Sequence, residues 1–211
     1  MPTSNNARFW DRAARKYAAS PIGDMEGYER TVAHARRYLK ATDVAFEFGC
    51  GTGTTAVKLA PAAARYIATD ISSEMIAIAR ERAVAESITN IEFAVGTADV
   101  APYPDASFDA VLSFNVLHLI EDRAAALRGA HRMLKPGGLF ISKTPALAEM
   151  NFLIRLAVPV MRAVGQAPYV AFFSNSELER EIVAAGFEIV ERASHGSGKK
   201  DVRTFFVTRK A

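Results

Sequence analysis

The sequence predicts an α/β fold in which a mostly parallel sheet carries helices on both faces. Three observations predict it. An apolar run, Val44-Ala-Phe-Glu-Phe48, enters a loop with glycines at 49, 51 and 53 and leaves it in a helical pattern. Further apolar runs at 66–69, 91–95, 110–114 and 139–142 alternate with helical stretches at about 53–61, 73–85 and 121–134, a βαβ series whose crossovers make parallel pairs. Near the carboxyl end, runs at 188–193 and 203–208 are joined by the glycine-rich His195-Gly-Ser-Gly-Lys-Lys-Asp201. This reads as a hairpin that places an antiparallel strand at the sheet's edge.

Taken in order, residues 5–19 carry Phe9, Ala13 and Tyr17 at helical spacing, and residues 28–40 carry Val32, Ala35 and Leu39. Two helices therefore precede the first strand and are expected over its open end. Ser72-Ser73-Glu74 supplies hydroxyl caps and an early carboxylate where the 73–85 helix starts. Pro136-Gly137-Gly138 is expected to end the helix before the fifth strand, because proline cannot continue it and glycine tolerates the reversal. Beyond Thr144 a long apolar segment, 150–173, precedes a capped helix at 174–185 that stops at Gly186.

With 211 residues the chain is expected to form one domain, divided into amino-terminal helices (1–40), a core (43–144), an inserted segment (148–173) and a terminal helix and hairpin (174–211). Half of the residues are hydrophobic and 23% charged, a globular balance without low-complexity tracts. The net charge of +3 comes from dispersed basic residues, so no nucleic-acid stripe is expected. No run approaches the ~20 apolar residues of a membrane span and the amino terminus lacks a secretory pattern, which makes a cytoplasmic protein the expectation. Cys50 is the single cysteine, which excludes an intrachain disulfide and a cysteine-based zinc site, and no metal is called for. Its place within the glycine loop favours a small packing side chain over a nucleophile.

The loop fits two templates. Gly51-Thr-Gly53-Thr-Thr-Ala56 satisfies the dinucleotide pattern, whereas Glu47-Phe-Gly49-Cys-Gly51-Thr-Gly53 uses more of the residues. The second closely resembles the first motif of the class I S-adenosylmethionine (SAM)-dependent methyltransferases. Other stretches fall in that family's order: Tyr66-Ile-Ala-Thr-Asp70, Thr97-Ala98-Asp99, Ser107-Phe108-Asp109-Ala110-Val111, Asn115-Val-Leu-His118 and Met133-Leu-Lys-Pro-Gly-Gly-Leu139. Together they cover about 43–144, and Phe9-Trp10-Asp11 with Tyr17 resembles the start of the quinone-biosynthesis-like, type 11 small-molecule methyltransferases. The resemblance implies a Rossmann-like sheet of about seven strands with the last-but-one reversed, SAM as cofactor and S-adenosylhomocysteine as product.

It also implies roles. Gly49, Cys50, Gly51 and Gly53 would lie against the cofactor, with Glu47 at its ammonium and Asp70, followed by Ile71, at the ribose. Ala98 and Asp99 would meet adenine, and Asn115 and Val116 the reactive side. Met75 fits core packing as well as a wall under adenine, and Tyr17 fits either core or cofactor contact. His118, just past a strand end, suits a general base or a structural role.

The segment 150–173 would cap the pocket with Phe152, Leu156, Met161, Tyr169 and Phe172, favouring a small apolar or aromatic acceptor. It reads equally as plain packing, as a dimer surface or, with Arg155 and Arg162, as a weak lipid contact short of membrane insertion. Monomer and homodimer both stay open. The rival functions are a nicotinamide-dependent oxidoreductase, for which no Tyr-x-x-x-Lys is present, and a non-catalytic SAM-binding or partner-binding protein.

Overall fold

The computed structural model describes residues 3–97, 101–150, 158, 161–162, 167–198 and 201–211. Its strands are β1 (Val44–Phe48), β2 (Arg65–Asp70), β3 (Ile91–Val95), β4 (Phe108–Phe114), β5 (Leu134–Lys143), β6 (Phe187–Ala193) and β7 (Phe205–Lys210). They form one sheet in the order β3-β2-β1-β4-β5-β7-β6. Pairing is parallel from β3 through β5, whereas β7 runs antiparallel to both β5 and β6. The hairpin therefore lies at the edge as expected, with the reversed strand β7 last but one in the sheet and β6 the outermost.

The helices are α1 (Thr3–Ala19), α2 (Met25–Arg36), α3 (Thr54–Leu59), α4 (Ser73–Ala85), α5 (Arg123–Met133) and α6 (Asn175–Ala184). Alternation along β1 sends Ala45 to one face and Phe46 and Phe48 to the other, so each face has its own core. Val32 and Ala35 of α2, Val57 and Leu59 of α3 and Ile76 and Ala79 of α4 join the first; Leu127 and Met133 of α5 and Leu178 and Ile182 of α6 join the second. Each fully buried large side chain, Phe46 among them, contributes about 2–3 kcal/mol of transfer free energy. Among the described residues no helix is long and apolar enough to cross a membrane.

Several boundaries differ from the sequence reading. Helix α2 starts earlier because the Asp24 carboxylate accepts the Gly27 N–H at 2.9 Å. Helix α3 gives way to a 3-10 turn, Ala60–Ala62, where Pro61 has no N–H to continue it. Helix α5 ends at Met133, well before Pro136, because the carbonyls of Arg132 and Met133 accept the Ala106 and Ser107 N–H groups and Leu134 already pairs with Phe108. Helix α1 packs along α4, held by Asp11, whose Oδ1 accepts the Ser72 hydroxyl at 2.7 Å and the Glu74 N–H at 3.2 Å.

Candidate cofactor and acceptor site

The carboxyl ends of β1, β2 and β4 open into a cavity of about 390 Å³. Its floor is the loop after β1. Gly49, Gly51 and Gly53 all take positive φ, at +68°, +54° and +74°, which only glycine adopts at low cost. Two of these glycines are also needed for space: a Cβ at Gly49 would collide with Val116, and one at Gly53 would lie 2.8 Å from the Ala79 Cβ of α4. The loop is tied to β2 by the Cys50 N–H on the Thr69 carbonyl at 3.0 Å and by the Gly51 N–H on Asp70 Oδ2 at 2.9 Å.

Two buried carboxylates face this space. Glu47 is 1% exposed and accepts the Tyr66 hydroxyl at 2.8 Å. Burial pushes its carboxyl up to about 7; the Tyr66 hydrogen bond opposes the shift, nearby Asp70 adds to it, and no cation among the described residues offsets it. Asp70 receives N–H groups from Gly51 and Ser72, each at 2.9 Å, which counter the upward push of burial. Each of its oxygens keeps a free lone pair. Ile71, Met75, Asn115 and Val116 line the cavity, as does Tyr17, whose hydroxyl burial and the Asp70 charge push up. Met75 is 2% exposed and packs with Ala14 and Ile78, so it is core and cavity wall at once. Buried Cys50 is also in the lining; burial pushes its thiol well up, which keeps it an uncharged wall.

Among the described residues Asn115 is one of three non-glycine residues at positive φ, +54°, and its N–H reaches the Lys143 carbonyl at 2.7 Å. That left-handed residue turns the chain sharply out of β4 and lets Val116 wedge against Gly49. Gly96 and Thr97 line the far end; Ala98 and Asp99 lie outside the described residues.

The remaining site residues lie outside the cavity lining or outside the described residues. His118 does not line the cavity: its Nδ1 meets Thr144 Oγ1 at 2.8 Å, and burial pushes it down to about 4. Its carbonyl accepts the Ala171 N–H at 2.8 Å, and the Phe173 carbonyl accepts the Ala148 N–H at 3.1 Å. These contacts send Ala171 and Phe173 into the core. Phe172 and Tyr169 are left half-buried and Met161 41% exposed, none of them in the cavity lining. Phe152 and Leu156 lie outside the described residues. The described cavity is covered by α1, through Asn6, Trp10 and Tyr17, and by residues from Leu119 to Ala126; from the 150–173 segment the Tyr169 N–H donates to Asn6 Oδ1 at 3.2 Å and Arg162 lies 3.7 Å from Glu121. Glu121 and Asp122 at that rim escaped the sequence reading, since they follow the motif without belonging to it. Asp11 was in view as part of Phe9-Trp10-Asp11, but its contact with the doubled serine cap at 72–73 was not.

No group of three or more His, Cys, Asp or Glu among the described residues is placed to hold a metal ion. Residues 46–142 match a family model described as a methyltransferase domain. The chain is 31% identical over 185 residues to an uncharacterized methyltransferase, YcgJ, of Bacillus subtilis, spanning 84% of this chain and 70% of the relative. It is 29% identical over 202 residues to a ubiquinone biosynthesis O-methyltransferase of Azorhizobium caulinodans, spanning 89% and 78%. A solved SAM-dependent methyltransferase of Thermotoga maritima, described as a possible histamine N-methyltransferase, superimposes with a TM-score of 0.72 at 23% identity, covering 97% of this chain and 99% of that one.

Proposed function

The chain belongs to the class I SAM-dependent methyltransferases, and from that premise we propose that it methylates a small, apolar or aromatic acceptor by direct transfer. Glu47 is the observation that carries the placement of the cofactor. A buried carboxylate with a single hydroxyl donor is incomplete without a cation, and the ammonium of SAM supplies one. The same carboxylate would repel a dinucleotide's pyrophosphate, which disfavours the nicotinamide reading.

In this reading the loop backbone around Gly51 admits the cofactor's amino-acid end. A Cβ there would meet nothing within 4 Å, which leaves that space open. Asp70 accepts the ribose hydroxyls with its free lone pairs, and Ile71 and Met75 form the wall under the base. When bound, SAM supplies a methyl group on a sulfonium with a neutral thioether leaving group. What the chain adds is alignment and exclusion of water by Trp10, Phe114 and Val116 around the reacting side. Phe172 and Tyr169 enter as support for this wall, and His118 as the group whose carbonyl holds the 171–173 segment beside β4's exit, not as the base.

Binding of S-adenosylhomocysteine measured by calorimetry tests the placement. Ionised Glu47 favours the ammonium, so affinity should fall roughly tenfold from pH 7 to pH 5.5 as the carboxyl, at about 7 before binding, takes up a proton. Glu47→Gln should bind more weakly and lose this pH dependence. A steep dependence that survives the substitution refutes the assignment.

A further inference from the structure

Next to the large cavity lies a second one of about 70 Å³, and Thr55, Phe114 and Asn115 line both. The two differ in charge. Among the described residues the large cavity is lined by four carboxylates, Glu47, Asp70, Glu121 and Asp122, and by no lysine, arginine or histidine. The small cavity is lined by Lys143 and Arg203 as well as Asp24. Of the two, only the small cavity offers a cation to an anionic group.

Lys143 ends β5 and is 6% exposed, so its ammonium is almost cut off from water. Among the described residues it has one acceptor at good distance: Nζ donates to Thr31 Oγ1 at 3.1 Å, while the Thr31 hydroxyl itself donates to the Gly27 carbonyl at 2.8 Å. Asp201 Oδ2 lies 3.5 Å from Nζ, long for a second bond. That carboxylate has donors of its own, the Gly196 N–H on Oδ2 at 2.8 Å and the Arg203 N–H and Nε–H on Oδ1 at 3.1 and 2.9 Å. Asp24 likewise accepts the Gly27 N–H at 2.9 Å and the Ser197 N–H and hydroxyl at 2.9 and 2.7 Å. Arg203 commits Nε to Asp201, and its Nη2 stays 3.9 Å from Asp24. An ammonium with three donors and a guanidinium with five therefore meet at this cavity with donors to spare. Burial holds Lys143 below the ordinary lysine value although Asp201 opposes the shift, as suits a charge short of acceptors.

The charges of Lys143, Arg203, Asp24 and Asp201 cancel, so the spare donors, and not net charge, select what fits here. They suit a planar monoanion with two oxygens, because charge-assisted bonds to a carboxylate are the strong ones. The volume, about 70 Å³ against roughly 15 Å³ for one water-sized site, has room for such a group. We propose that the small cavity takes a carboxylate carried by the acceptor, with Lys143, Arg203 and the Asn115 amide as its donors, while the atom to be methylated lies in the large cavity. This rests on the methyltransferase reading and narrows the acceptor to an aromatic or apolar carboxylic acid. Phe114 and Asn115, common to both cavities, set the spacing between the carboxylate and the reacting atom. A free small carboxylate offers the same chemistry, and the test separates the two sources.

Calorimetry on the full chain tests it. Binding of S-adenosylhomocysteine is measured first; its absence removes the methyltransferase reading, and benzoate titrated into the ligand-free chain then judges the cationic cavity by itself. On the chain saturated with S-adenosylhomocysteine, benzoate should bind about tenfold more tightly than its uncharged isostere benzamide, and acetate more weakly than benzoate by at least as much. Lys143→Met and Arg203→Gln should each weaken benzoate about tenfold while leaving the affinities for benzamide and S-adenosylhomocysteine unchanged. Arg203, whose side chain is 38% exposed, carries the test if Lys143→Met fails to fold. Equal affinity for benzoate and benzamide, no benzoate binding, or benzoate binding untouched by Arg203→Gln overturns the carboxylate site. Acetate binding as tightly as benzoate overturns the acceptor as the source of the carboxylate.

Discussion

At residue scale the site is governed by Glu47, which is placed against its own folding preference. Its ordinary value of 4.5 is raised to about 7, chiefly by burial, so the charged form is the costly one. The sign follows: without ligand this residue costs nothing below about pH 4.5, and stability declines as pH rises through about 7. Glu47→Gln, which keeps an acceptor for the Tyr66 hydroxyl, should therefore raise the thermal midpoint of the ligand-free protein at pH 8 and leave it nearly unchanged at pH 4.5. A gain of a few kcal/mol is the scale set by about 1.4 kcal/mol per pKa unit. Differential scanning calorimetry at the two pH values checks it, and equal midpoints at pH 8 count against a charged, uncompensated Glu47. The glycines and the two carboxylates of this site were readable from sequence because backbone conformation and charge at a strand end depend on residues close along the chain. His118 stayed open between a base and a structural role for the opposite reason. Its partner Thr144 comes from the end of another strand, and no local pattern reports that contact.

At the scale of elements, α1 illustrates how a distant side chain completes a helix end. Asp11 joins the first turn of α4 while Ser72 caps the same helix by accepting the Met75 N–H at 3.1 Å. Asp11→Ala should cost about 0.5–2 kcal/mol, the range for a lost cap contact. Its mark should be local: faster amide exchange along α1 and weaker S-adenosylhomocysteine binding, because α1 brings Asn6, Trp10 and Tyr17 to the cavity. Exchange spread evenly over the sheet would contradict this. The strands were legible because their apolar runs are bounded by turn residues, and the helices by their caps. The end of α5 was not, since the carbonyls taken by Ala106 and Ser107 act through the three-dimensional neighbourhood, whereas Pro61 at the end of α3 acts locally and was passed over. The 150–173 segment was legible only as an apolar stretch, without the pairing of its side chains where it is described. Apolar composition marked it as buried, but hydrogen bonds to residues 118 and 148 decided which side chains turned inward.

At the scale of the molecule, the seven-stranded sheet divides its labour. The carboxyl ends of β1, β2 and β4 open into the large cavity, whereas β5 and β7 join the outer edge to the rest. Phe206 of β7 is 1% exposed in the core beside Phe140 and Phe187. Phe206→Ala should destabilise by about 3–5 kcal/mol, and urea unfolding followed by tryptophan fluorescence and by circular dichroism should shift together. Separate transitions would mean that β6 and β7 unfold without the remainder. The position of β7 also bears on how the native state is reached. Lys143 pairs with Phe205, and β6 precedes β7 along the chain, so β5 and β6 must each wait with a vacant ladder until the later segment threads between them. Vacant ladders recruit neighbouring molecules. Substitutions in the connection between β6 and β7 that slow this docking would then lower soluble yield through intermolecular association while leaving the finished protein's melting temperature unchanged.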